Sequence, residues 1–179
     1  MHSKPICLVG FMGCGKSTVG NELAKELNLD FVDIDAQLEL THQISIEEMV
    51  KRFGWEYFRA QESAFVQKSD TVDKGVIATG GGFLLDVNNQ IWMKDKCLSV
   101  YLNVSIAVLE KRLAKNDSHR PLLEGLSAEE RKDKITSLFT ERESLYALAD
   151  YEVDGSLAVE EVVALIKQSI EIPSVTKLD

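Results

Sequence analysis

Lys16 and Ser17 end an octet, Gly-Phe-Met-Gly-Cys-Gly-Lys-Ser over residues 10–17, that fits the pattern G-x-x-x-x-G-K-[ST]. Glycines at those places let backbone N–H groups converge on a phosphate, and a helix starting there adds free amides and partial positive charge. Lys16 would supply a mobile cation for the terminal phosphates of ATP and Ser17 a hydroxyl for Mg²⁺, with Gly13, Cys14, Gly15 and Thr18 completing the cradle. Cys14 could also be an oxidisable thiol, although a small residue that fits is the plainer reading. Other residues suited to anions or to acid–base work follow: Asp33 with Asp35, Arg59 with Glu62, the run Gly80-Gly81-Gly82, Arg120 and Arg142.

Elements must bring these groups together. The apolar run 6–9 before the octet reads as a buried parallel strand, and Val19, Leu23 and Leu27 after it recur as on an amphipathic helix. Strands are expected at 5–9, 31–34, 76–79, 98–102 and 151–153, with helices at about 16–27, 45–53, 56–69, 88–95, 105–113, 127–147 and 157–170. That alternation predicts an α/β fold in three layers, α/β/α, around a central five-stranded parallel sheet. Ser45 with Glu48, and Ser127 with Glu130, have capping-box spacing.

The expected second strand runs Phe31-Val32-Asp33-Ile34-Asp35, so alternation puts both carboxylates on one face beyond its end, where α/β sheets bind ligands. There they would meet Mg²⁺ and the γ-phosphate; helix capping by one of them is the alternative. The third strand ends in Thr79 rather than a metal-binding acid, which leaves Asp33 as the candidate for the cation. Three consecutive glycines suit close approach of backbone to a ligand, or a plain flexible turn. Glu62 is placed to hold the Arg59 guanidinium from one helical turn away. Arg120 sits in a polar stretch starting at Lys115 that reads as a mobile lid, about 114–126, able to close over nucleotide phosphates. Arg142, taken alone, reads as a solvated helix charge, and His2, His42 and His119 as surface residues.

Composition narrows the function class. Lysine and arginine number 20 against 29 acids, a net charge of −9, so no basic footprint for nucleic acid is visible. Three cysteines without a C-x-x-C pair suit a reducing cytoplasm, and no apolar stretch is long enough for a membrane span. The chain is expected to form one domain over 1–172, with a loose tail at 173–179.

Together the motifs resemble shikimate kinase, a P-loop kinase. The resemblance runs from Ile6 to Asp154 through the octet with Thr18, Phe-Val-Asp-Ile-Asp, Phe58-Arg59 with Glu62, Gly80-Gly81-Gly82, Arg120-Pro-Leu-Leu and Arg142-Glu-Ser-Leu-Tyr146. It implies transfer of the ATP γ-phosphoryl to the 3-hydroxyl of shikimate by a cytoplasmic monomer. Asp35 would bind the attacking hydroxyl as candidate base; Arg59 and Arg142 would grip the shikimate carboxylate, with Gly80, Gly81 and Gly82 beside it. Lys16 and Arg120 would neutralise the transferring group, Ser17 and Asp33 would serve Mg²⁺, and Arg112 would match an adenine-side arginine. Gly54-Trp55, His42-Gln43 and Cys14 depart from the family pattern. Another small-molecule kinase, acting on gluconate or a nucleoside monophosphate, and a nucleotide-binding module without a small substrate are the alternatives.

Overall fold

Strand β1 (Ile6–Val9) is buried at every position, which fixes it as an interior strand. The computed structural model describes residues 4–68, 75–115 and 121–171. Around β1, strands β2 (Asp30–Asp33), β3 (Gly75–Ala78), β4 (Leu98–Asn103) and β5 (Tyr151–Asp154) form one sheet in the order β2-β3-β1-β4-β5. Every pairing is parallel, with Ile6 opposite Val76 on one side and Leu98 on the other. The predicted five-stranded parallel sheet, flanked by helices, is therefore present. The order switches direction about β1, so the crevice past its carboxyl end is where a ligand belongs.

Helix α1 (Lys16–Leu27) starts at the end of the octet and buries Val19, Leu23 and Ala24. It stops at Asn28, whose left-handed conformation (φ 53°) returns the chain toward β2. The structure differs from the sequence reading at what comes next. β2 ends at Asp33, and a helix not anticipated from the pattern, α2 (Ile34–His42), begins at once. Asp33 is its N-cap: the carboxylate accepts the Ala36 N–H at 3.3 Å. Asp35 thus sits in the first helical turn, not on an extended strand. Only Ile34 and Leu38 of α2 are buried, so its apolar stripe is too thin to read from periodicity.

Helix α3 (Ile46–Lys68) is broken at Gly54 (φ 84°, ψ 168°), matching the two expected segments. The capping box at Ser45 is half formed. Its hydroxyl accepts the Glu48 N–H at 3.1 Å, but the Glu48 carboxylate pairs with Arg52 rather than reaching back to the cap. After β3, a 3-10 turn (Phe83–Leu85) leads to α4 (Val87–Lys96); α5 (Ile106–Lys115) follows β4, and α6 (Ala128–Tyr146) and α7 (Val159–Glu171) complete the order. Ser127 and Glu130 form the full reciprocal cap of α6.

Ile6, Leu8, Ile77, Val100 and Leu102 from the sheet pack with Leu23, Ile34, Met49, Met93, Leu109 and Ile166 from the helices in one core. Cys7, Cys14 and Cys97 are free and buried. Of the expected lid, Pro121 to Gly125 form a turn with Leu123 buried, while His119 and Arg120 lie outside the described residues, as do His2 and the expected tail. Among the described residues no helix is long and apolar enough to cross a membrane.

Candidate active site

The loop between β1 and α1 turns on Gly13 (φ 80°) and Gly15 (φ 106°), conformations that side chains resist. Lys16 is 8% exposed, and its ammonium donates to the carbonyls of Gly10 (2.7 Å) and Phe11 (3.0 Å). The cation therefore lies curled over its own loop. Cys14 is buried beneath it, 3.5 Å from the ammonium, and does not face the cavity described below. Ser17 donates its hydroxyl to Asp33 at 2.5 Å, so Asp33 serves both the helix cap and the serine. Both readings offered for the acidic pair thus hold at one residue. A serine hydroxyl beside a partly exposed carboxylate fits Mg²⁺, which takes one or two protein oxygens and keeps waters or substrate phosphates elsewhere. No group of three or more His, Cys, Asp or Glu that could hold a metal occurs among the described residues, so any such ion would draw further oxygens from its ligand.

A cavity of about 710 Å³ opens beside this loop. Its walls include Gly13, Gly15, Lys16, Ser17, Thr18, Asp33, Asp35, Arg59, Gly80, Gly81, Gly82 and Arg142, so residues far apart in the chain meet as the sequence reading required. Asp35 has a buried carboxylate oxygen, Oδ1, without a hydrogen-bond partner. Burial pushes its carboxyl up to about 6; Asp33 adds to the rise, and Lys16 and Arg59 oppose it. The group is mostly ionised at neutral pH but within reach of a proton.

Arg59 is fixed from several sides. Its guanidinium pairs with Glu62, as the spacing predicted, and lies 5.4 Å from the Trp55 ring and 5.0 Å from the Phe58 ring. Glu62 is wholly buried with Oε1 unpartnered, and burial pushes it up to about 7 against the pull of Arg59. Trp55 has no role in the sequence reading. An aromatic four residues before Arg59, on one helical face, is the signal that could have found it.

The triple glycine is explained by crowding. A Cβ on Gly80 would overlap the Glu62 carboxylate, one on Gly82 the Arg59 guanidinium, and one on Gly81 would lie 2.9 Å from the backbone nitrogen of Met12. None of the three has positive φ, so the plain flexible turn gives way to close packing against the site's own groups.

Arg142 is not a solvated helix charge: it is 5% exposed. Its Nη1 lies 3.4 Å from the Gly81 carbonyl, and its buried Nε has no partner. Arg112 stays off the cavity wall. Its guanidinium donates to the carbonyls of Cys14 (3.1 Å) and Gly155 (3.0 Å), tying the phosphate-type loop to the turn after β5. Met12 of the octet and Leu122 of the Arg120-Pro-Leu-Leu motif also line the cavity, as does Glu39, which was not singled out from sequence.

A family model described as shikimate kinase matches residues 12–171. A shikimate kinase 2 of Pectobacterium carotovorum is 38% identical over 172 residues, covering 94% of this chain and 96% of the relative. A shikimate kinase of a Sulfurihydrogenibium species is 39% identical over 170 residues, 92% and 99% of the respective chains. Among solved structures, a shikimate kinase from Acinetobacter baumannii in complex with shikimate is 30% identical, with a TM-score of 0.87 over 98% of this chain and 96% of that one.

Proposed function

The chain belongs to the shikimate kinase family, and from that premise we propose how its cavity carries out the reaction. The enzyme transfers the γ-phosphoryl of ATP to the 3-hydroxyl of shikimate, giving shikimate 3-phosphate and ADP. One observation carries the assignment of the site: a buried arginine and a half-buried aspartate, each with a buried atom lacking a partner, line the same cavity as the phosphate-type loop. Buried polar groups without partners are costly, and a carboxylated polyol would satisfy both.

In this reading Arg59 and Arg142 bind the shikimate carboxylate. A planar guanidinium gives a planar carboxylate a fixed orientation, which lysine could not. Glu62, Trp55 and Phe58 hold Arg59 in place before substrate arrives. Asp35 accepts a hydrogen bond from the attacking hydroxyl and takes its proton as the new oxygen–phosphorus bond forms and the bond to the ADP oxygen breaks. Its raised affinity for protons, with a value about 6, suits that exchange. Lys16 leaves the Gly10 and Phe11 carbonyls for the phosphates of ATP, with the amides of Gly13 to Thr18 beneath them. Ser17 and Asp33 would hold Mg²⁺, which would supply charge neutralisation for the phosphates. By the family resemblance Arg120 serves the nucleotide phosphates, and Arg112, behind the loop, steadies the adenine side. The chain works as a cytoplasmic monomer, as its likeness to the family implies, and its three free, buried cysteines suit a reducing compartment.

ADP release measured with ATP, Mg²⁺ and each of shikimate, gluconate and a nucleoside monophosphate tests the reading. Release dependent on shikimate alone is expected. Turnover with another acceptor, or nucleotide binding without acceptor-dependent turnover, would overturn it.

A further inference from the structure

Tyr146 ends the Arg142-x-x-x-Tyr146 motif, yet the chemistry above gives it nothing to do. It is 2% exposed, and its hydroxyl donates to the Gly81 carbonyl at 2.5 Å. Arg142, one turn earlier on the same face of α6, approaches that carbonyl only to 3.4 Å. Two donors thus converge on one buried oxygen, and the neutral phenol makes the close bond while the guanidinium makes the long one. The phenol is itself fixed, because its ring stacks on Tyr101 with centroids 5.4 Å apart and planes at 28°. A buried carbonyl that loses its donor draws in the nearest other donor, since leaving it bare is unfavourable. Here that donor is Arg142 Nη1.

We propose that Tyr146 is a positioning residue for substrate binding: by occupying the Gly81 carbonyl it holds the Arg142 guanidinium to a long 3.4 Å contact with the backbone and leaves it available to the incoming carboxylate. The proposal rests on the reading of Arg142 as a carboxylate ligand. Without the phenol, the guanidinium closes on Gly81 and must break that bond each time shikimate binds.

Steady-state kinetics of wild type, Tyr146→Phe, Arg142→Ala and the double variant test this, with melting temperatures and with Tyr101→Phe as a control. Tyr146→Phe keeps the ring and its stacking. It is expected to raise the shikimate KM about five- to ten-fold, the worth of one hydrogen bond, with kcat and the ATP KM changed less than about two-fold. Arg142→Ala is expected to raise the shikimate KM by about 10- to 150-fold, as for a lost charged hydrogen bond, and Tyr146→Phe should then add nothing further. Tyr101→Phe, which removes only the hydroxyl facing Asn103, should leave the shikimate KM unchanged. An equal penalty for Tyr146→Phe in both backgrounds would overturn the proposal, as would an unchanged KM in the single variant or the same rise in Tyr101→Phe. If Arg142→Ala itself leaves the KM unchanged, the carboxylate reading fails and the proposal falls with it; additive effects with a damaged Arg142→Ala defeat the proposal alone.

Discussion

Replacing Gly81 by alanine isolates what the close approach of two loops contributes. The glycine sits where its φ would allow any residue, so the substitution adds no backbone strain. It adds one methyl group, which would lie 2.9 Å from the Met12 nitrogen and 3.5 Å from the Met12 Cα and Cβ. Ordinary contact begins near 3.4 Å, so the two segments must part by about 0.5 Å. Neither can yield by rotating a side chain, because the atom struck is backbone. One segment is the loop that carries Lys16, and the other carries the carbonyl shared by Tyr146 and Arg142. Separating them shifts the side of the cavity that bears Gly81 relative to the side that bears Lys16. A misplacement of 1 Å costs about 10²-fold in rate, so half of that predicts a fall in kcat of about 10-fold. Overpacking of this kind destabilises by about 1–3 kcal/mol, which a cooperative domain of this size survives as a lower melting temperature. Saturating kinetics at a temperature well below the new melting point separate the two effects. Wild-type kcat in a folded Gly81→Ala enzyme would refute the idea that the loops must touch.

Asp35→Asn keeps the shape of the carboxylate but not its proton affinity; kcat is expected to fall while ATP binding, followed by nucleotide titration, survives. Trp55→Leu removes the ring under Arg59, an interaction worth about 0.5–2 kcal/mol, so the shikimate KM should rise about two- to thirty-fold, with less change for ATP. Glu62 holds its proton more tightly in the folded chain than unfolded, with a value about 7 against an ordinary 4.5, so folding gains most below 4.5 and loses that gain as pH rises through 7. The stability of wild type relative to Glu62→Gln, from urea midpoints, should therefore decline over that window; a flat difference would show that Glu62 is not buried against solvent. Asp35, raised to about 6, adds a slope of the same sign that persists in the glutamine variant.

What the chain spells out plainly is whatever depends on local pattern. The octet with its strand and helix, the Arg59–Glu62 pair and the cap at Ser127 are interactions between near neighbours, so spacing alone carries them. Helix α2 was missed because its start is declared by a single aspartate and its buried stripe is only Ile34 and Leu38. The error mattered little for the site, since a first helical turn and a strand end both leave Asp35 facing the cavity. Arg142 shows the opposite limit. Its burial is caused by α6 packing near the turn after β3, 61 residues away in sequence, which no window of local periodicity can register. Tyr146 was hidden for the same reason: its role is defined by the Gly81 carbonyl it holds, 65 residues away. Trp55 is different, since its spacing to Arg59 was there to be read.

Asp33 joins two halves of the machine through a single carboxylate. One oxygen accepts the Ala36 amide at the start of α2, and the other meets the Ser17 hydroxyl. Asp35 stands two residues further along that same helical start. Anything that pulls on Asp33 from the nucleotide side therefore tugs the leading turn of α2 and, with it, the acid that would greet the acceptor alcohol. Occupancy on one side would thereby be felt on the other through a lever only three residues long.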